Sequence, residues 1–305
     1  MFPGQGAQRP GMLHSLPDHP AVAQTLACVA DTLGLELASL DTDNALKKSR
    51  SVQLCLLISG VAMARLLIAE NAPPRWVAGL SVGACPAAVT AGVLTLEAGL
   101  RFIDLRGRLM DDAFPEDYGM TAIMGLDAKA LGAIIKRTHT PSRPVYLANY
   151  NTPTQLVMSG HLEAMQAVAV QARVQGATSA EPLAVAVPSH CPLFEPVATQ
   201  LREFLAKQTI QRPRYRYLSS SAARQLIQPK DIATDLANNV ANPVHWYETA
   251  RLAWEYGLRL AIEMPGGSVL SRLTASAWPD GRVLSSDSVP INSLISLIQR
   301  ENTLP

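Results

Sequence analysis

Gly79-Leu80-Ser81-Val82-Gly83 sets a serine between two glycines, each two residues away. The run before it, Arg75-Trp76-Val77-Ala78, is short, mostly apolar and β-branched at Val77, as a buried strand is. The run after it, Ala84 to Leu94, is alanine-rich and apolar on nearly every side, as a buried helix is. A G-x-S-x-G pentapeptide between strand and helix leaves the backbone little choice. The serine sits on a sharp, strained turn, and the glycines remove side chains that would collide with strand and helix. The turn presents the hydroxyl at a helix N-terminus, where free N–H groups and the helix dipole favour developing negative charge. Taken alone, the pentapeptide is equally compatible with a plain glycine-rich βα turn in which Ser81 is an N-cap.

Composition narrows the class. A chain of 305 residues that is 48% hydrophobic and 17% charged has ample material for a large core. Its formal net charge of +1 leaves no basic footprint for nucleic acid. Cys28, Cys55, Cys85 and Cys191 form no C-x-x-C pair and no metal-ligand spacing, so they read as buried thiols in a reducing cytosol, and no metal is expected. The opening Met1-Phe2-Pro3-Gly4 has no charged or apolar leader, so no signal peptide is expected. The longest apolar stretch, Leu54 to Leu67, is broken by Ser59, Gly60 and Arg65 and reads as too short to span a bilayer.

Along the chain, Phe2-Pro3-Gly4-Gln5-Gly6-Ala7-Gln8 is a glycine-rich turn without the G-x-G-x-x-G spacing of a dinucleotide site. It is either an ordinary surface turn or a place where the Gln5 backbone approaches a ligand. Helical spacing runs over 19–35 and 51–68, and Gln53 at the head of the second helix reads as a cap or exposed position. A further helix starts at Thr95. On it Arg106 shares a stripe with Phe102 and Leu109, which sets a guanidinium on the apolar face. Such an arginine needs an anion; spacing alone favours an internal carboxylate over a substrate carboxylate.

From Tyr118 the pattern changes to strand 120–124, helix 128–136, strands 145–148 and 155–158, helix 161–175 and strand 182–187. That β-α-β-β-α-β order is the split-βαβ or ferredoxin-like unit, inserted between segments of a larger fold. It ends at Pro188-Ser189-His190-Cys191-Pro192, where His190 is either a general base or a buried structural histidine. Beyond it, strands at 215–219, 258–263 and 283–284 alternate with helices at 231–240, 246–256, 269–275 and 291–300. Alternation of this kind predicts a mostly parallel, doubly covered sheet.

Together these pieces resemble the malonyl-CoA:acyl-carrier-protein transacylase family. The matching stretches, in the family's order, are FPGQGAQ (2–8), GLSVGA (79–84), LRGRLM (105–110), NYNTP (149–153), VPSHCPLF (187–194), NPVHW (242–246) and EMPGGSVL (263–270). Within the family, SVQLCLLISGVAMARLL (51–67), GLSVGACPAA and YGMTAIMGLD (118–127) look most like the malonyltransferase (epsilon) subunit of bacterial malonate decarboxylase. The resemblance implies an α/β fold. Its large domain (1–116 and 188–305) would be α/β-hydrolase-like with a mostly parallel sheet, and a ferredoxin-like subdomain (117–187) would be inserted in it. The family usually has an apolar strand ahead of FPGQG, and these residues are not present here.

Residue by residue, the resemblance implies Ser81 as acyl-accepting nucleophile and His190 as its base. It implies Arg106 as the holder of the malonyl carboxylate, and the backbone N–H groups of Gln5 and Val82 as the oxyanion hole. His245 stands where a backbone carbonyl would orient His190, and Asn151 where a supporting side chain would sit. Leu80 and Ala84 replace a histidine and a glutamate common in the family. The implied activity moves malonyl from malonyl-CoA through a malonyl-Ser81 ester to the phosphopantetheine-type thiol of an acyl carrier protein. The carrier expected first is the malonate decarboxylase subunit; the fatty-acid-synthesis transacylase is the runner-up. No cofactor bound to the chain, no nucleic acid and no membrane partner are expected, and the location expected is cytoplasmic. A serine thioesterase or esterase and a non-catalytic docking subunit are the readings from other classes.

Overall fold

The computed structural model describes residues 1–6, 8–114, 117–185 and 187–303. Helix α1 (Pro20–Leu33) begins with Pro20 at its first position and with His19 accepting from the Ala21 N–H, and α2 follows over Ser49–Ala69. Strand β1 (Trp76–Ala78) runs into the elbow, then α3 (Ala84–Thr90) and α4 (Leu96–Asp112), which Thr95 caps by accepting from the Ala98 N–H. The middle of the chain forms β2 (Tyr118–Met124), α5 (Ala128–Thr138), β3 (Val145–Thr152), β4 (Gln155–His161), α6 (Leu162–Val174) and β5 (Ser179–Pro182). After it come α7 (Glu195–Leu205), β6 (Arg216–Ser219), β7 (Arg224–Leu226), α8 (Pro229–Asn238) and α9 (Trp246–Glu255). The chain closes with β8 (Leu260–Glu263), α10 (Val269–Ala275), β9 (Arg282–Ser285) and α11 (Ile291–Thr303).

The main sheet is held together by the first two residues. β1 pairs in parallel with β6, and β8 in parallel with β9, while β7 adds antiparallel to β6. Between β8 and β1 lie Met1 and Phe2. The Met1 amine donates to the Ile262 carbonyl at 2.6 Å, and the Met264 N–H donates to the Met1 carbonyl at 2.8 Å. On the other side the Phe2 N–H donates to the Ala78 carbonyl and the Leu80 N–H to the Phe2 carbonyl, at 2.9 and 3.0 Å. Two residues therefore do the work of a central strand.

The middle segment folds around its own core, with Ile123, Leu131, Ile134, Met158 and Val168 buried between one sheet face and α5 and α6. Its four strands lie in the order β3-β4-β2-β5 and every pairing is antiparallel. The last strand is not at 182–187: β5 starts three residues before the apolar run and ends at its first residue, Pro182, because Ser179–Pro182 are the residues in register with Thr121–Met124. Ala186, within the expected strand, lies outside the described residues. β3 touches the large part through main chain, the Val244 N–H donating to the Ala148 carbonyl and the Tyr150 N–H to the Val244 carbonyl, both at 2.8 Å.

Helix α2 is buried over most of its circumference, as its even distribution of apolar residues demands. By length and composition it could cross a bilayer, contrary to the sequence expectation, yet 83% of its most apolar window is buried inside the protein. α2 packs closely on α4, where Gly107 lies against the Arg50 backbone and an added Cβ would overlap Arg50 Cα. Gly132, on α5, has nothing nearer than Leu147 Cδ1 at 3.7 Å from such a Cβ.

The two glycines are expected to respond to alanine with opposite signs. Gly132→Ala should stabilise by up to about 1 kcal/mol, the helix-propensity gain. Gly107→Ala meets an overlap costing about 1–3 kcal/mol that outweighs the same gain. Thermal unfolding of both variants checks this, and an unchanged or raised Tm for Gly107→Ala would refute the packing argument.

Candidate active site

The elbow has the backbone its sequence demands. Ser81 is at φ 55, in the left-handed region, and begins a single 3-10 turn (Ser81–Gly83) that leads into α3. A Cβ on Gly79 would overlap the Gly83 carbonyl, and one on Gly83 would overlap the Phe2 carbonyl. Both glycines are therefore required by close backbone approach, and the reading of Ser81 as a plain N-cap has no support: its hydroxyl caps nothing and meets a histidine.

Ser81 Oγ lies 2.8 Å from His190 Nε2, across 109 residues of sequence. His190 is 3% exposed and also sits in the left-handed region, at φ 64. Its Nδ1 is 2.7 Å from the Asn239 carbonyl and 3.2 Å from the Asn242 carbonyl. Carbonyls only accept, so Nδ1 carries the proton and Nε2 presents its lone pair to the serine hydroxyl. Burial first, and the Arg106 charge second, lower the His190 pKa to about 4; the two carbonyl bonds pull the other way. The imidazole is thus neutral near pH 7 and free to accept a proton.

Arg106 is 2% exposed. Nη1 donates to Gln53 Oε1 at 2.6 Å and Nη2 to Ser81 Oγ at 3.3 Å. Among the described residues it forms no ion pair, so the internal carboxylate favoured by spacing is absent. Desolvation lowers its pKa to about 10, which still leaves a full charge at neutral pH. Its neighbours Arg50 and Arg108 take the nearby carboxylate instead, Asp104, at 2.6 and 2.7 Å.

Gln53 corrects a second expectation. It is fully buried, neither cap nor exposed: the helix begins at Ser49, five residues earlier than the cap reading needs. Its amide donates to Gln5 Oε1 at 3.3 Å and to Met110 Sδ at 3.1 Å while its carbonyl receives Arg106. The signal in the sequence is an amide next to the long apolar run 54–67, which needs a polar partner inside the protein once that run is buried. Gln5 is therefore linked to Arg106 through Gln53, and Val82 follows Ser81 at the start of the helical turn, 1% exposed.

His245 does not orient His190. It opens α9, and its carbonyl accepts from the Thr249 N–H at 3.0 Å and the Thr249 hydroxyl at 2.8 Å. The carbonyls that hold His190 come from Asn239 and Asn242, three to six residues earlier, where the chain leaves α8. The His245 ring stacks on Tyr150 at 4.7 Å instead. Asn151, 8% exposed on β3, makes no hydrogen bond to Ser81, His190 or Arg106, and its Oδ1 has no partner among the described residues. A cavity of about 200 Å³ is lined by Trp76, Arg216, Tyr256 and Leu260 among others, and Ser81, His190 and Arg106 are not part of its lining.

The model for the acyl transferase domain matches residues 1–304. A malonyl CoA-acyl carrier protein transacylase of Haemophilus influenzae is 35% identical over 297 residues, covering 95% of each chain. The chain belongs to the malonyl-CoA:acyl-carrier-protein transacylase family. A second transacylase of that name, from Bacillus subtilis, is 31% identical and covers 99% of this chain and 97% of its own. Among solved members, the Coxiella burnetii transacylase superposes with a TM-score of 0.92 at 30% identity, covering 98% and 96% of the two chains. Another, solved with a type II PKS acyl-carrier protein, gives 0.90 at 33% identity over 99% and 98%. As a member of this family the protein is an acyltransferase with a mixed α/β fold.

The His190 ring is expected to titrate near 4 and not near its ordinary 6.5. Ring-proton NMR of the folded chain between pH 3.5 and 8 checks this; a midpoint above 6 would contradict the burial argument.

Proposed function

We propose that the protein transfers malonyl groups from malonyl-CoA to the thiol of an acyl carrier protein through an ester on Ser81. The observation that carries this reading is Arg106: a buried guanidinium without a carboxylate partner, donating to the nucleophile's own oxygen. Leaving such a charge unpaired is costly, so the group it awaits is an anion that arrives with the acyl chain. A malonyl thioester offers a carboxylate two carbons from the carbonyl that Ser81 would attack.

In this reading His190 Nε2 takes the Ser81 proton as Oγ adds to the thioester carbonyl. The Gln5 and Val82 N–H groups receive the oxyanion, a contribution of the kind whose loss costs about 100-fold in turnover. The tetrahedral adduct collapses with loss of CoA thiol, protonated by His190, and leaves malonyl-Ser81. The carrier's thiol then gives its proton to His190 and attacks the ester, releasing Ser81. Asn239 and Asn242 hold the imidazole tautomer throughout, so no third side-chain acid is needed.

The relatives' names support an acyl carrier protein as acceptor. A second reading, the carrier subunit of malonate decarboxylase, is favoured by Leu80 and Ala84 in the elbow and by the 51–67 and 118–127 stretches. We read the large part, 1–116 with 188–305, as α/β-hydrolase-like and the insert, 117–187, as ferredoxin-like, and we place the protein in the cytosol. A thioesterase would share Ser81 and His190 but has no need of Arg106.

Intact-mass analysis after mixing with malonyl-CoA is expected to show one malonyl adduct on Ser81 and none with acetyl-CoA; an equal acetyl adduct would sink the assignment. Arg106→Ala should slow malonyl transfer by about 100-fold or more, the cost of deleting one partner of a buried charge pair. Its malonyl-over-acetyl preference should collapse with the rate. Turnover on the two purified carriers decides between the acceptors, and release of free malonate without transfer to either would favour the thioesterase.

A further inference from the structure

We propose that Ser219-Ser220-Ser221, at the end of β6, forms a brace fixing the nucleophile relative to the base, with Ser220 and Ser221 as positioning residues. The proposal rests on the Ser81–His190 reading above.

Three consecutive hydroxyls tie three different parts of the site. Ser219 Oγ donates to Asp235 Oδ1 on α8 at 2.6 Å. Ser220 Oγ donates to the Gly79 carbonyl at 2.8 Å, two residues before the nucleophile and 141 residues away in sequence. Ser221 Oγ accepts from Asn239 Nδ2 at 3.0 Å, and Asn239 is the residue whose carbonyl takes the closer bond from His190 Nδ1. The Ser220 main chain joins the same brace, its carbonyl accepting from the His245 N–H at 2.7 Å. One peptide unit thus separates the hydroxyl that holds the elbow from the hydroxyl that holds the histidine's acceptor.

Two features make this more than satisfied polar burial. Ser81 and His190 both occupy the left-handed region, which a non-glycine side chain keeps only when its surroundings over-determine it. Within each surrounding, the serine bond has no substitute. Among the described residues Asn239 Oδ1 has no partner, and Ser221 makes the one hydrogen bond on that side chain. Gly79 can offer no side chain of its own, and Ser220 is 1% exposed, so water cannot readily replace its hydroxyl. Releasing either end lets the serine and imidazole drift apart while the shorter bond to Gln53 still holds the guanidinium that binds the substrate's charge.

The test is single-turnover acylation of the full chain by malonyl-CoA, followed by intact mass, for Ser220→Ala, Ser221→Ala and Ser221→Thr. Both alanine variants are expected to acylate about 10- to 100-fold more slowly at saturation, the effect of sub-ångström misplacement of a reacting pair. The malonyl-CoA concentration for half-saturation should stay within about twofold, since ground-state binding is untouched. Ser221→Thr keeps the hydroxyl and should recover most of the rate. In Ser221→Ala the acid limb of the acylation rate should also move to lower pH, because the Asn239 bond that raises His190's pKa is loosened. Wild-type rates in both alanine variants would overturn the brace, as would losses that only track the unfolded fraction in parallel thermal melts. Ser81→Ala separates the two levels: an adduct that survives there defeats the functional reading, whereas its loss alongside wild-type Ser220→Ala and Ser221→Ala rates defeats the brace alone.

Discussion

Burial of the Arg106 charge is the constraint around which the site is built. A guanidinium with 2% exposure and no described carboxylate must be held by neutral acceptors, and Gln53 and Ser81 are the two it has. Gln53 is in turn joined to Gln5, so the glycine-rich turn at the start of the chain, the long buried helix and the elbow become one network. The charge also acts on the base. Together with burial it keeps His190 neutral, and a neutral imidazole beside a hydroxyl is the state in which proton abstraction can begin. One cation therefore bears on substrate charge, nucleophile and base.

The backbone makes that network rigid. Met1 and Phe2 close the sheet between β8 and β1, and the Phe2 carbonyl is also the group that forbids a side chain at Gly83. The opening residues thus stand against the elbow directly. On the opposite side, His190 hangs from the turn after α8, and the small sheet grips the same stretch through Val244. The histidine's acceptors are main-chain carbonyls, which cannot change rotamer, so tautomer and ring orientation follow from the path of the chain.

Much of this was legible in the residues. The elbow, the alternation of strands and helices, and the insert's β-α-β-β-α-β order all follow from local pattern, because glycine geometry and apolar periodicity act over a few residues. The last strand of the insert was misplaced because an apolar run says where burial is favourable and not which residues find partners: β5 is set by its register with Thr121–Met124. His245 was misassigned for a similar reason. A motif marks the neighbourhood of a turn, but which carbonyl points inward depends on where α9 starts to consume its own acceptors. The partners of Gln53 escape a local reading because Gln5, Met110 and Arg106 lie 48, 57 and 53 residues away in sequence.

What the sequence determined on its own was a strained serine, a helix with an arginine on its apolar face, and a histidine following an apolar stretch. Each is a statement about backbone freedom or side-chain polarity over a few turns of chain, and such statements need no partner. What only the tertiary structure decided was that these three groups meet at one point and that no carboxylate among the described residues pairs with the arginine. The physical reason is that an ion pair or a proton relay is a property of distances between segments, and 109 residues separate the serine from the imidazole it touches.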